Sequence, residues 1–301
     1  METCLLDDAA RAFEVFCWSK GVSPRTVNTY AAAIEKLRRF LCCPPEGSRP
    51  LPSRSEAREF VVHLSASGLS RASVAMHVRS IKVFFRFLHR EGMVTDDLGS
   101  AVQIPRSGHK LPVALCEPDI RSLLDAARGS SWFDVRNTAM LMLLLDTGLR
   151  LSELIGLDLG DVSLNEWRIG IRNGKGSRDR TVFIGRALHR ALRRWLEVRG
   201  AGPQTGALFV TRSGQRQDLR NVERILSRLA DRASMKARVT PHILRHTFAV
   251  NYIRHGGDPF TLQRLLGHSD IRTTRIYVEM SGEDLRRAHA KAGPLDQLLA
   301  R

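Results

Sequence analysis

Residues 102–115, VQIPRSGHKLPVAL, cannot continue a helix. Pro105 and Pro112 lack a backbone N–H and crowd the preceding turn, and Ser107 and Gly108 between them favour turns. On either side of this break, apolar residues recur at helical spacing. The chain is therefore expected to fold as two bodies, residues 1–101 and 116–301, with 102–115 as the linker. At 301 residues it is long enough to build a core in each.

The first body reads as a small all-α bundle. Val27, Tyr30, Ile34, Leu37 and Leu41 repeat every three or four residues, with Ser23 as cap and Pro24 at the first helical position. Val74, Val78, Ile81, Phe85 and Leu88 form a second such stripe. Its opposite side carries Arg71, Arg79, Lys82, Arg86 and Arg90, either an ordinary solvated face or one that meets phosphates. Further helices are expected over 8–19 and 55–65. The second body is mostly helical too, with helices over 117–127 and 132–145. Trp167, Ile169 and Ile171 alternate, NGKGS turns the chain and RTVFI returns, which predicts a small antiparallel sheet. A further strand is expected at 207–210.

Lys plus Arg total 47 against 31 Asp plus Glu, a formal charge of +16. That excess favours a polyanionic partner, of which nucleic acid is the commonest. The five cysteines, Cys4, Cys17, Cys42, Cys43 and Cys116, include no C-x-x-C pair, which argues for reduced thiols rather than a disulfide framework or zinc site. Without a signal pattern or a long apolar run, a soluble, cytoplasmic protein is expected.

The stretch TPHILRHTFAV crowds cations at a helix entrance. Thr240 suits the cap and Pro241 the first position, so His242 and Arg245 fall on one face among unpaired backbone N–H groups. Such a cluster suits an oxyanion or a phosphate. A zinc helix would place Glu after His242, but Ile243 stands there, so His246 reads as a buried structural partner. In DTGLRLSEL, Glu153 lies three residues after Arg150 and can fix its guanidinium plane, although an ordinary surface pair reads the same way. Lys175, at the tip of RNGKGSRDR, can release a proton where its Arg neighbours cannot. LLGHSDIRTTRIY adds His268 and Tyr277. Of the other tyrosines, Tyr30 lies on the first apolar stripe and Tyr252 reads as packing.

In this order, TGLRLSEL, GKGSRDR, HILRHTF and LLGHSDIRTTRIY resemble the tyrosine recombinase (phage integrase) family, most closely its Xer-type members, over nearly the whole chain. Phe183, where Pro is common, and Val278-Glu279, where Thr-His often follows the tyrosine, depart from the pattern. The resemblance implies a mainly α fold: an N-terminal helical DNA-binding domain, then an α-rich catalytic domain with a small sheet. It implies Tyr277 as nucleophile, Arg150 and Arg245 as a phosphate clamp, and His268 as a further donor. Lys175 would be the general acid, His242 an assisting acid or base and Glu153 a support for Arg150. Neither metal nor nucleotide cofactor is implied. The expected partner is double-stranded DNA bearing an inverted repeat, bound by a homotetramer with room for a second recombinase, and with no membrane involved. An additional arm-binding domain is not expected. The segment after Tyr277 would dock on a neighbouring protomer rather than on its own domain. The rivals are a type IB topoisomerase-like nicking and closing enzyme and a DNA-binding regulator without catalysis.

Overall fold

The computed structural model describes residues 6–41, 50–105, 114–172, 179–200 and 206–267. The chain divides into two compact units, Met1–Lys110 and Leu111–Arg301. Lys175, His268, Tyr277, Cys4, Cys42, Cys43, linker residues 106–113 and the segment after Tyr277 lie outside the described residues.

The first unit is helical among its described residues: α1 (Leu6–Ser19), α2 (Pro24–Phe40), α3 (Arg54–Ala66), α4 (Arg71–Arg90) and the short α5 (Leu98–Ala101). Each start has a local cause. The Ser23 hydroxyl accepts the N–H of Thr26, Ser53 and Glu56 exchange bonds in a capping box, and Ser70 accepts from Ser73. Helix α4 is the spine, packed by α2, α3, α5 and α1. It buries Val74, Val78, Ile81, Phe85 and Leu88, the stripe read from sequence, and also Phe84 and Phe87. Phe13 of α1 seals the bundle, with ring centroids 5.6 Å from Tyr30, 5.3 Å from Phe84 and 5.2 Å from Phe87.

The basic side of α4 is less uniform than its spacing suggests. Arg71, Arg79, Arg86 and Arg90 are exposed. Lys82 is half-buried, and its ammonium donates to the carbonyl of Val102 at 2.8 Å, closing the end of α5 onto α4. Arg90 lies 4.5 Å over the Phe16 ring and pairs with Glu91.

The second unit is built around α7 (Trp132–Thr147), preceded by α6 (Glu117–Ala127). Helix α7 is apolar nearly all round, as a helix covered on several sides must be. It buries Ala139, Met140, Leu141, Leu143 and Leu144. After it come α8 (Leu151–Gly156), a 3-10 turn at Leu159–Asp161, and three antiparallel strands, β1 (Val162–Ser163), β2 (Arg168–Ile171) and β3 (Arg180–Phe183), in the order β1-β2-β3. Ile169 pairs with Val182 and Ile171 with Arg180. The helices α9 (Arg186–Arg199), α10 (Leu219–Arg232), α11 (Pro241–Arg254) and α12 (Pro259–Leu266) complete the unit, and α6, α9 and α11 pack on α7.

The sheet differs from expectation at both ends. Trp167 precedes β2, in a turn at φ 53°, with its ring stacked 4.3 Å from that of His189. Residues 207–210 are buried, but they make only the isolated bridges Asp158–Ala207 and Val210–Arg216. A short apolar run records burial, and burial alone does not supply a neighbouring strand. The run instead seats Trp195, whose indole N–H donates to the carbonyl of Leu208 at 2.9 Å.

Replacing Phe13 by Ala removes the ring on which three others converge. The loss expected is about 3–5 kcal/mol. Amide hydrogen exchange should show it as faster opening of α1, α2 and α4, with α7 and α9 unchanged.

Candidate active site

At the end of α12 the carbonyls of Leu265, Leu266 and Gly267 accept from three arginines that come from three elements. Carbonyls at a helix C-terminus carry the negative end of its dipole and attract cations. Arg180 of β3 donates through Nε to the carbonyl of Leu265 at 2.7 Å. Arg245 of α11 donates through Nη2 to Leu266 at 2.8 Å and through Nη1 to Gly148 at 2.7 Å. Arg150, the residue capping α8, reaches Leu266 at 3.5 Å and Gly267 at 3.3 Å. Arg150 and Arg245, 95 positions apart in sequence, thus meet on one carbonyl oxygen.

Two glycines make this approach feasible. Gly148 ends α7 at φ 61°, a left-handed conformation, and a Cβ there would run into the Phe248 ring and Leu266. Gly267 ends α12 at φ 64°, where a Cβ would lie 3.2 Å from Nη1 of Arg180.

One carboxylate holds the arginines in register. Glu153 accepts both forks of Arg180 at 2.8 Å, Nη1 of Arg150 at 2.9 Å and the backbone N–H of Arg150 at 2.8 Å. It therefore caps α8, orients one guanidinium and neutralises another. The Arg180 and Glu153 side chains are 9% and 6% exposed, so this is a buried, bidentate pair. Burial pushes the Glu153 pKa up, but the hydrogen bonds from Arg180 and Arg150 outweigh it and hold the carboxyl below its ordinary value. Arg245 is buried, whereas the Arg150 side chain is 42% exposed and can meet a ligand.

Helix α11, which carries Arg245, also carries His242, His246 and Tyr252. Thr240 accepts the N–H of Ile243 at 3.2 Å, and Pro241 opens the helix. His242 is exposed in its first turn, and Arg245 is buried three residues later. His246 is also buried, and Tyr252 packs 5.8 Å from the Phe248 ring. Lys175 belongs to the chain segment between β2 and β3, and His268 follows Gly267 directly in sequence. No group of three or more His, Cys, Asp or Glu suited to a metal occurs among the described residues.

The sequence reading missed Arg180, although a signal was present. On a strand, alternate residues share a face, so Arg180 points the same way as the fully buried Val182. An inward arginine needs a carboxylate. Glu153, assigned to Arg150 alone, serves both.

Three guanidiniums against one carboxylate leave surplus positive charge suited to an anion such as a phosphodiester. Comparison with known proteins gives this geometry its context. The chain belongs to the phage integrase family: residues 114–283 match that family's model, and residues 12–92 match the phage integrase N-terminal SAM-like domain. It is a tyrosine-type site-specific DNA recombinase. It is similar to Tyrosine recombinase XerC of Chromobacterium violaceum, at 35% identity over 96% of this chain and 95% of the relative. It is also similar to Tyrosine recombinase XerA of Thermococcus kodakarensis, at 34% identity over 97% and 98%. Among solved structures, the Tn1549 transposon integrase in complex with transposon right end DNA shares the fold with a TM-score of 0.77, at 22% identity over 96% of this chain and 100% of that one.

Glu153→Gln removes the only charge that balances buried Arg180 in this pair. Breaking such a pair costs on the order of 3–5 kcal/mol. Because the folded carboxyl lies below its unfolded value of about 4.3, its contribution is present above that pH and is lost as pH falls through the depressed folded value. Urea midpoints of the parent and Glu153→Gln should therefore differ most at neutral pH and converge in acid.

Proposed function

We propose that Arg150 and Arg245 clamp the two non-bridging oxygens of one DNA phosphodiester while the Tyr277 hydroxyl attacks its phosphorus. The bond to the 5′-oxygen breaks, Lys175 gives that oxygen a proton, and a 3′-phosphotyrosyl link remains. His268 donates a further hydrogen bond to the phosphoryl group, and His242 acts as acid or base at the reacting oxygens. Glu153 orients Arg150. The observation that supports this reading is the meeting of Arg150 and Arg245 on the carbonyl of Leu266, two residues before His268.

The physics suits this division of labour. Negative charge grows on the phosphoryl oxygens in the transition state, and donors already fixed by backbone carbonyls and Glu153 need little reorganisation to meet it. The phosphotyrosyl bond retains the energy of the broken one, so the 5′-hydroxyl of a second strand rejoins without ATP.

Two such sites, each an inverted repeat, would be held by a homotetramer, with a second recombinase able to replace part of it. The residues after Tyr277 would dock on the neighbouring protomer. The exposed arginines of α4 are suited to backbone phosphates, while the Lys82 ammonium spends one of its donors on Val102. The setting for this activity is the cytoplasm, on nucleoid DNA. No helix among the described residues is long and apolar enough to cross a membrane.

Tyr277→Phe should bind duplex with parental affinity and form no covalent adduct on denaturing gels. An adduct that persists would overturn the assignment of the nucleophile. Lys175→Ala should cleave ordinary DNA about 10²–10⁴-fold more slowly. It should recover near-parental cleavage when sulfur replaces the 5′ bridging oxygen, since a thiolate leaves without a proton. Equal slowness on both substrates would remove the general-acid role.

A further inference from the structure

The end of α7 remote from Gly148 carries a second convergence of arginines that the catalytic reading does not use. A cavity of about 350 Å³ there is lined by Arg136 of α7, Arg212 of the segment between α9 and α10, and Arg228 and Arg232 of α10. Arg136 is 4% exposed. Its Nε and Nη2 donate to the amide oxygen of Asn137, at 3.2 and 3.0 Å, and its Nη1 donates to the carbonyl of Val210 at 3.0 Å. All three bonds go to neutral acceptors. The guanidinium carbons of Arg136 and Arg212 lie over the Trp132 ring, 5.0 and 5.5 Å from its centroid. Burial lowers the Arg136 pKa to about 10, so the group stays cationic at neutral pH.

Charge in the cavity is unbalanced. Among the described residues, Asp134 is the one carboxylate that lines it. That carboxylate already accepts the Ser131 hydroxyl at 2.6 Å, and Nη1 of Arg232 stands 3.9 Å away. Four arginines line the cavity with one carboxylate among them, an excess of positive charge that an entering anion would relieve, and guanidinium forks match the oxygens of a phosphate.

We propose that this pocket seats one backbone phosphate of the bound DNA duplex, apart from the phosphate held by Arg150 and Arg245. Free phosphate shares the chemistry, but the duplex is the polyanion this recombinase acts on. From Arg136 to Gly148 along α7 is about 18 Å, at about 1.5 Å per residue. That is roughly half of the ~34 Å helical turn of DNA. The position on the duplex therefore rests on the catalytic assignment above, whereas the phosphate seat itself does not.

The test uses the double variant Arg228→Gln/Arg232→Gln in the full chain. Both residues are exposed, so the fold should persist, and a melting curve in phosphate-free buffer checks it. Arg190→Gln/Arg194→Gln, an exposed pair on α9, removes the same charge elsewhere. The slope of log affinity against log salt should fall by about one for the α10 pair, with binding roughly three- to ten-fold weaker, and change less for the α9 pair. Duplexes neutralised one phosphate at a time with methylphosphonate should reveal a position that weakens the parent and the α9 variant but not the α10 variant. Adduct yield per bound duplex should be unchanged, which separates this result from any failure of the Tyr277 assignment. The proposal is overturned if no such position exists, or if the two double variants behave alike. It is also overturned if inorganic phosphate protects the parent selectively while DNA binding is unaffected, or if only self-association of the protein weakens.

Discussion

The geometry of the site hangs on the last turn of α12. A helix that ends inside a protein must find donors for its final carbonyls, and here the donors are arginines from α8, β3 and α11. Their mutual repulsion is offset by the negative end of the α12 dipole and by Glu153. The arginines come together because a helix end gathers them. Gly148 and Gly267 matter for the same reason. Each removes a Cβ that would hold the elements apart.

Much of this was legible in the sequence where the cause is local. Thr240 and Pro241 mark the start of α11 and the α4 stripe marks its buried side, because caps and periodicity are written within a few residues. Pairings across the chain are not. Nothing near Lys82 in sequence announces the Val102 carbonyl 20 residues on, and nothing near Arg180 announces Glu153, 27 residues earlier. The run at 207–210 looked like a strand because burial and β-structure leave the same apolar signature. Arg150, Glu153, His242 and Arg245 were found through motif order. The meeting of Arg150 with Glu153, and with Arg245 on Leu266, is a property of the fold, which spacing alone could not supply.

Helix α7 takes part at both its ends. At one end its left-handed glycine offers a carbonyl to Arg245, and at the other Arg136 leans on Trp132 and Val210. Between them the helix is apolar on nearly every side and covered by α6, α9 and α11. A buried rod of this kind fixes the separation of two cationic clusters more rigidly than surface loops could, because changing it would mean repacking the core.

The carbonyl of Leu266 is shared. The two guanidiniums are thereby linked through one peptide carbonyl. Unwinding the final turn of α12 would withdraw one acceptor from Arg150 and Arg245 at once, leaving Arg245 its bond to Gly148 and Arg150 its bond to Glu153.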